Sequence, residues 1–277
     1  MAKTVFHHVS DTARWVAEYR AQESARPDAL FHDPLAAGLA GERGRIIAEA
    51  AKRSFGNGWF FIARTKLIDD LVERSLAEGC DRVVNLAAGL DTRPYRLEVP
   101  PSLEWIEVDL PVIIEEKNRV LADESPRCKL SRVPLDLTDA AARRGCLTDA
   151  VKGAAKTLVI TEGLLLYLPE SEVRELTTEL NRPEIAWWVA DIIGPTILKM
   201  SSKPGRRNNA PVIFGPENGI AFFERAGWTV DRFASQLPAA AQWNRLSAAM
   251  RIVARLPKGN PRRPGRSLWS AVLRLTP

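Results

Sequence analysis

Three carboxylates carry the first chemical signal in this chain. Asp109 closes "LEWIEVDLP", Asp136 closes "CKLSRVPLDL", and Glu162 follows "AKTLVIT". Each stands where an apolar, strand-like run gives way to a turn. A fourth run, "DRVVNLA", ends in Ala87, Ala88 and Gly89 and is followed by Asp91, Arg93 and Arg96. Asp109 lies 22 positions after Ala87, near the spacing at which an acid meets the ribose hydroxyls of an adenosine ligand. Two hydroxyls match the two acceptor oxygens of one carboxylate. As purely structural residues, Asp109 would cap the turn before Pro111 and Gly89 would permit a tight turn.

The loop does not read G-x-G-x-x-G, because Ala87 and Ala88 stand where glycines would and Asp91 follows. A helix N-terminus that grips a pyrophosphate wants glycines and no nearby carboxylate. The loop therefore suits a nucleoside without a phosphate chain, and S-adenosylmethionine is such a ligand. Its sulfonium and amino group are positive, so acidic strand ends favour it. Its carboxylate needs a cation. Arg64, in "WFFIARTKLIDDLVERSLAEG", is the candidate; the plain alternative is a solvated helix arginine.

The elements that must position these groups are legible in outline. "SDTARWVAEYRAQES" reads as an N-terminal helix capped by Ser10 or Asp11, and the segment around Arg64 reads as a second helix ended by Gly79. "ARPDALFHDPLAAGLAG", between them, carries two prolines and reads as a loop. From Asp81 onward strands and helices alternate, which argues for an α/β fold with a mostly parallel sheet and helices on both faces. Ligands of such sheets bind beyond the carboxyl ends of the strands, where Asp109, Asp136 and Glu162 fall. "TILKMSSKPGRRNNAPVIFG" lacks periodicity and reads as a lid inserted at about 192–216. "WTVDRF" and "AAMRIVARLP" read as the sixth and seventh strands, and 257–277 as a basic, frayed tail. The expected division is a helical cap over 1–80, an α/β domain over 81–256 and that tail.

Bulk composition fits this plan. The chain has 277 residues, 45% of them hydrophobic, which suffices for one large core. A net charge of +5 favours an anionic partner but is also ordinary for an enzyme. Cys80, Cys128 and Cys146 are scattered and form no C-x-x-C pair, so neither a disulfide framework nor a metal site is expected, and a cytoplasmic location fits. No apolar run is long enough for a membrane helix.

Taken together, "VVNLAAGLDTRPYRL", "EVDLP", "PLDL" and "TEGLLLYL" resemble the leucine carboxyl methyltransferase-like family. This group of class I S-adenosylmethionine-dependent methyltransferases includes bacterial polyketide O-methyltransferases. "TARWVAEYRAQESARPDALFHDP" and "IARTK" are similar to the opening of its bacterial members, so the match runs from about Thr12 to Leu168; "FFERAGW" and "RIVARLP" fit more loosely. The resemblance implies a Rossmann-like class I methyltransferase fold with a seven-stranded sheet. It implies that Arg64 pairs with the cofactor carboxylate, that Ala87 and Gly89 form the loop under the methionine moiety, and that Asp109 holds the ribose. Asp136 and Leu137 would flank the adenine, Glu162 would hold the amino group, and Tyr167 would face the transfer site. Family members often have Gly at the position of Ala87.

The expected reaction is methyl transfer to a carboxylate or hydroxyl of a small, anionic or phenolic acceptor, a polyketide-like one being what the resemblance implies. Arg206 and Arg207 of the lid, or Arg93 and Arg96, are the cations that would attract it, and His7 and His8 are the histidines able to close over the site from the N-terminal segment. A protein carboxyl methyltransferase and a non-catalytic cofactor-binding protein are the alternatives on the same fold. A nicotinamide-dependent dehydrogenase would want G-x-G-x-x-G. A nucleic-acid methyltransferase would want an Asn/Asp-Pro-Pro-aromatic turn where this chain has "TEGLLLYL". No nucleic-acid or membrane partner is expected.

Overall fold

The computed structural model describes residues 9–55, 57–201, 211–256 and 259–277. His7, His8, Arg206 and Arg207 lie outside the described residues, as does the middle of the segment read as a lid.

Three helices come first: α1 (Val9–Ser24), α2 (Ala36–Phe55) and α3 (Trp59–Ala77). The alternating region then runs β1 (Arg82–Leu86), α4 (Arg93–Arg96), β2 (Glu104–Asp109), α5 (Pro111–Val120), β3 (Lys129–Pro134), α6 (Ala140–Val151), β4 (Thr157–Thr161), α7 (Glu170–Glu179), β5 (Ile185–Ile193) and α8 (Pro195–Ser201). The last part is α9 (Ala221–Glu224), β6 (Thr229–Ser235), α10 (Gln236–Gln242), α11 (Ala248–Arg255) and β7 (Ser270–Thr276). The strands form one sheet in the order β3-β2-β1-β4-β5-β7-β6. The pairs from β3 to β5 are parallel, and β7 is antiparallel to both of its neighbours. Strand order reverses between β1 and β4, where an open parallel sheet leaves its ligand crevice.

Both faces of the sheet are covered, so its central strands are buried almost residue after residue rather than alternately. Val84, Val159, Trp188 and Leu273 pack on one side with Leu147, Val173 and Phe223. Val83, Leu158, Trp187 and Val272 pack on the other with Ile68 and Val72 of α3. Two of the buried indoles are hydrogen-bonded: Trp188 Nε1 donates to Thr161 Oγ1 at 2.8 Å and Trp228 Nε1 to the Thr177 carbonyl at 3.0 Å.

Three sequence readings are corrected. The tail is not frayed: its last residues are β7, an internal strand with Ala271, Val272, Leu273 and Leu275 fully buried. The basic look of the segment misleads because Arg274 is itself buried, its guanidinium held by Asp231 and by Glu78 at 2.7 Å. "AAMRIVARLP" is not a strand but helix α11, started by Ser247, whose hydroxyl accepts from the Met250 amide. Met250, Val253 and Ala254 follow helical spacing and pack toward α10. The proline-rich stretch before Arg64 gives way at Ala36 to a 20-residue helix. Glycines disguise it: Gly41 breaks its backbone at φ 59, and a Cβ on Gly44 would stand 2.8 Å from the Arg14 carbonyl. Only glycine there lets α1 and α2 approach so closely.

Candidate functional site

The carboxyl ends of β1, β2, β3 and β4 open onto a cavity of about 300 Å³, closed on the far side by α1 and α3. Arg64, Ala87, Gly89, Asp109, Asp136, Leu137, Glu162 and Tyr167 all line it. Thr12, Ala13, Val16 and Arg20 of α1, Phe61 of α3, and Asp91 and Arg93 from the segment after β1 are also in the wall.

The loop after β1 sets the floor. Ala87 has φ +55, a left-handed conformation that L residues other than glycine seldom adopt. Gly89 follows at φ +51. The turn aims the Gly89 amide at Asp109 Oδ2, at 2.6 Å, while Asp109 Oδ1 accepts from the Leu110 amide at 2.7 Å. Each oxygen keeps lone-pair capacity for one further donor. Asp109 is 8% exposed, and burial pushes its carboxyl above the usual aspartate range against the pull of the Gly89 and Leu110 amides and of Lys117. Lys117 is engaged underneath, donating to Glu107 at 2.7 Å. Asp136 differs. It is exposed, and its Oδ1 accepts from the amide and hydroxyl of Thr138 at 2.9 and 2.8 Å, which lowers its pKa. Leu137 next to it is half-buried, and its carbonyl accepts from Arg143 at 2.6 Å.

The opposite end is a chain of buried ion pairs. Arg64 Nε donates to Glu162 Oε1 at 2.9 Å and Arg64 Nη1 to Asp191 Oδ2 at 3.2 Å. Arg93 Nη1 donates to Glu162 Oε2 at 2.7 Å and to Asp91 Oδ2 at 3.0 Å, and Arg93 Nε donates to Asp69 Oδ1 at 2.7 Å. Arg96 clamps Asp69 with two bonds of 2.7 Å. Burial pushes the Glu162 carboxyl up, but Arg93 and then Arg64 outweigh it and hold its pKa below the ordinary value. Burial likewise opposes ionisation of Asp91, and Arg93 leads the cations that hold it well below the carboxylate range. For Asp191 burial wins over Arg64, and its pKa is raised. Gly163, at φ +66, donates its amide to Asp191 Oδ1 at 2.6 Å; a Cβ on it would stand 3.2 Å from Arg64 Nη1.

Two expectations fail here. Asp91 is not a bare carboxylate facing a ligand, because Arg93 and Asn85 bond it. Arg93 and Arg96 are not free to attract an acceptor, because both are buried in ion pairs. Tyr167, at the end of a 3₁₀ turn over Leu165–Tyr167, has its phenol pKa raised by burial and shares a hydrogen bond with Thr12 of α1. His32 is exposed. Sequence reasoning passed over Asp69, Asp191 and Asn85. Asp191 was findable, since it is a lone acid in the apolar run "WWVADII", the same signal that marks Asp109. Among the described residues no group of three or more His, Cys, Asp or Glu could hold a metal ion, and no helix is long and apolar enough to cross a membrane.

The donor set fits S-adenosylmethionine. One carboxylate with two open acceptor sites lies under a tight loop, and an arginine–glutamate pair at the other end offers opposite charges for a carboxylate and an amino group.

Comparison with known proteins agrees. The family profile for leucine carboxyl methyltransferase matches residues 13–181. A Frankia alni protein named as a candidate S-adenosyl-L-methionine-dependent methyltransferase is 32% identical over 250 residues, covering 83% of this chain and 86% of its own. A Streptomyces avermitilis protein with the same designation is 30% identical over 282 residues and 95% of both chains. Among solved structures, a DUF574-family protein of S. avermitilis superposes with a TM-score of 0.62 at 13% identity over 96% of both chains. A candidate methyltransferase of Thermobifida fusca does so with a TM-score of 0.58 at 14% identity, over 99% of this chain and 97% of its own. At such identities these two establish the fold alone.

Proposed function

The chain belongs to the leucine carboxyl methyltransferase family of S-adenosyl-L-methionine-dependent methyltransferases, and from that premise we propose that it methylates a carboxylate or hydroxyl oxygen of a small-molecule acceptor. The observation that carries the reading is the single cavity that gathers Arg64, Ala87, Gly89, Asp109, Asp136, Leu137, Glu162 and Tyr167 beneath α1. A cavity roofed by a helix suits a small acceptor better than a protein chain terminus.

The cofactor supplies an activated methyl group on a sulfonium. The protein's part is to bind, align and dry the reacting pair. Asp109 accepts from the ribose hydroxyls while the Gly89 and Leu110 amides hold it in place. Leu137 packs against the adenine and Asp136 accepts from it. Arg64 turns its guanidinium to the cofactor carboxylate, and Glu162 accepts from the amino group. Val16, Phe61 and Leu164 exclude water on the acceptor side, and Tyr167, fixed by Thr12, faces the transfer point. A carboxylate acceptor needs no general base. A phenol, with a pKa of about 10, is less reactive without one.

Transfer of labelled methyl from S-adenosylmethionine to panels of small acids and phenols decides the acceptor class. A methyl ester is lost in mild base and a methyl ether is not. Label on neither class, with cofactor binding intact, would sink the small-molecule reading.

A further inference from the structure

We propose that Arg93 is a positioning residue for the methionine end of the cofactor: it holds Glu162 ionised and in place when Arg64 turns to the cofactor carboxylate. This rests on the reading of Glu162 as the acceptor for the cofactor amino group.

Glu162 has two cationic partners, one on each oxygen. Arg64 Nε serves Oε1 at 2.9 Å and Arg93 Nη1 serves Oε2 at 2.7 Å. The two arginines are not equivalent. Both line the cavity, but among the described residues Arg64 is held only by Glu162 and Asp191 and keeps 11% of its side chain exposed, against 1% for Arg93. A ligand carboxylate competes for Arg64 directly. Arg93 is 1% exposed, and four separate bonds fix its guanidinium: to Asp69, Asp91 and Glu162 at 3.0 Å or less, and to the Thr65 carbonyl at 3.4 Å. Behind it, Asp69 is clamped by Arg96. Arg93 therefore cannot follow the ligand.

The consequence is electrostatic. A buried carboxylate that loses its only cation takes up a proton or rotates to find another donor. A protonated Glu162 would donate where it must accept, and an ammonium would meet no counter-charge. With Arg93 fixed on Oε2, Oε1 is left ionised and aimed at the cavity once Arg64 moves. The rigid, planar fork of arginine suits this task, because one side chain must span helix α3, the loop after β1 and the loop after β4. Lysine keeps the charge and loses the span.

S-adenosylhomocysteine and 5′-methylthioadenosine separate this role from mere scaffolding. Both are uncharged at sulfur and share the adenosine part, and only the first carries the amino and carboxylate groups. Calorimetric affinities for both are measured on wild type, Arg93→Lys, Asp69→Asn and Glu162→Gln, each checked for folded protein by circular dichroism. We expect Arg93→Lys to weaken S-adenosylhomocysteine by roughly 10-fold or more, with 5′-methylthioadenosine unchanged within about 2-fold. Asp69→Asn, which loosens Arg93 from behind without touching the cavity, shifts the same ratio in the same direction. If both ligands weaken together in the Arg93 and Asp69 variants, Arg93 is a scaffold residue and the proposal falls. It falls equally if neither ligand weakens. If Glu162→Gln leaves the ratio of the two ligands unchanged, the reading of Glu162 itself is wrong, whatever Arg93 does.

Discussion

The two ends of the cavity hold their carboxylates by opposite means. At the β2 and β3 end, Asp109 and Asp136 are fixed by uncharged donors: the Gly89 and Leu110 amides for one, the amide and hydroxyl of Thr138 for the other. At the β4 and β5 end, Glu162, Asp191, Asp91 and Asp69 are held by arginine side chains, which are distant in sequence for all but Asp91, whose partner Arg93 is two positions on. Backbone amides hold a carboxylate without neutralising it, so burial still raises the Asp109 pKa. Arginines hold the Glu162 and Asp91 carboxyls below the ordinary carboxylate range, while at Asp191 burial outweighs Arg64. The first arrangement leaves a group ready for neutral hydroxyl donors. The second stores matched charges that a zwitterionic amino acid moiety can re-pair.

The largest expected effect breaks the second end. Asp69→Ala leaves Arg93 and Arg96 buried without their shared partner. Removing one member of a buried ion pair costs about 3–5 kcal/mol, and chemical denaturation should report a loss of that size. A loss below about 1 kcal/mol would place this network among ornamental surface pairs and remove the contrast between the two ends. The next effect breaks the first end. Asp109→Ala removes two hydrogen bonds to a charged acceptor, and cofactor affinity should fall about 100-fold. Asp136→Asn, on an exposed turn, should change it by no more than about 5-fold. Equal losses for the two would mean that the ribose is held elsewhere.

The contrast also explains what the sequence disclosed. Asp109, Asp136 and Glu162 were legible because each ends an apolar strand, and strand ends in a parallel sheet face one crevice. The strand readings gave the sheet from β1 to β6 and missed only β7. The ion network was not legible, because its pairs join positions such as Arg64 and Asp191 whose proximity exists only after the sheet has formed. Arginines in "DTRPYR" read as solvent-seeking until the acids on α3 and after β4 are placed around them. For the same reason β7 was hidden: Arg274 is polar in sequence but is neutralised in the fold by Asp231 and Glu78.

A smaller effect sharpens the comparison through pH. An aspartate with a raised folded pKa takes up its proton above the ordinary value of about 3.9. Asp109 is such a group, so cofactor affinity should decline as pH falls through that raised pKa, by up to about 10-fold per unit. The depressed carboxyls, Glu162 and Asp91, behave conversely. Their stabilisation is complete above the unfolded pKa of about 4 and is lost only as pH falls through their lowered folded values. Asp191, with a raised pKa, loses stability as pH rises through that value and adds nothing to acid unfolding. A window therefore opens below neutrality in which binding fades and the fold persists. Tryptophan fluorescence titrations with S-adenosylhomocysteine, set beside circular dichroism across pH, measure the two curves. Coincident curves would show that no such separation exists, and Asp109→Asn should flatten the binding curve within the window.

The smallest effect lies on the loop that joins the two ends. Ala87 holds φ +55 with a Cβ that the left-handed region disfavours by about 1 kcal/mol. Glycine relieves that strain but widens the unfolded ensemble, which returns part of the gain. Ala87→Gly should therefore stabilise the protein by about 0.5 kcal/mol at most, a rise of roughly 1–2 °C in Tm for a chain of this size. The methyl group also stands in the wall that faces the ligand, so S-adenosylhomocysteine should bind the glycine variant at least as well as the parent. Unchanged stability with tighter binding would locate the cost of Ala87 in the ligand's space rather than in the backbone. Lower stability would mean that the methyl packs favourably enough to outweigh its strained dihedral, and that the loop is held by its side chain and not only by its turn.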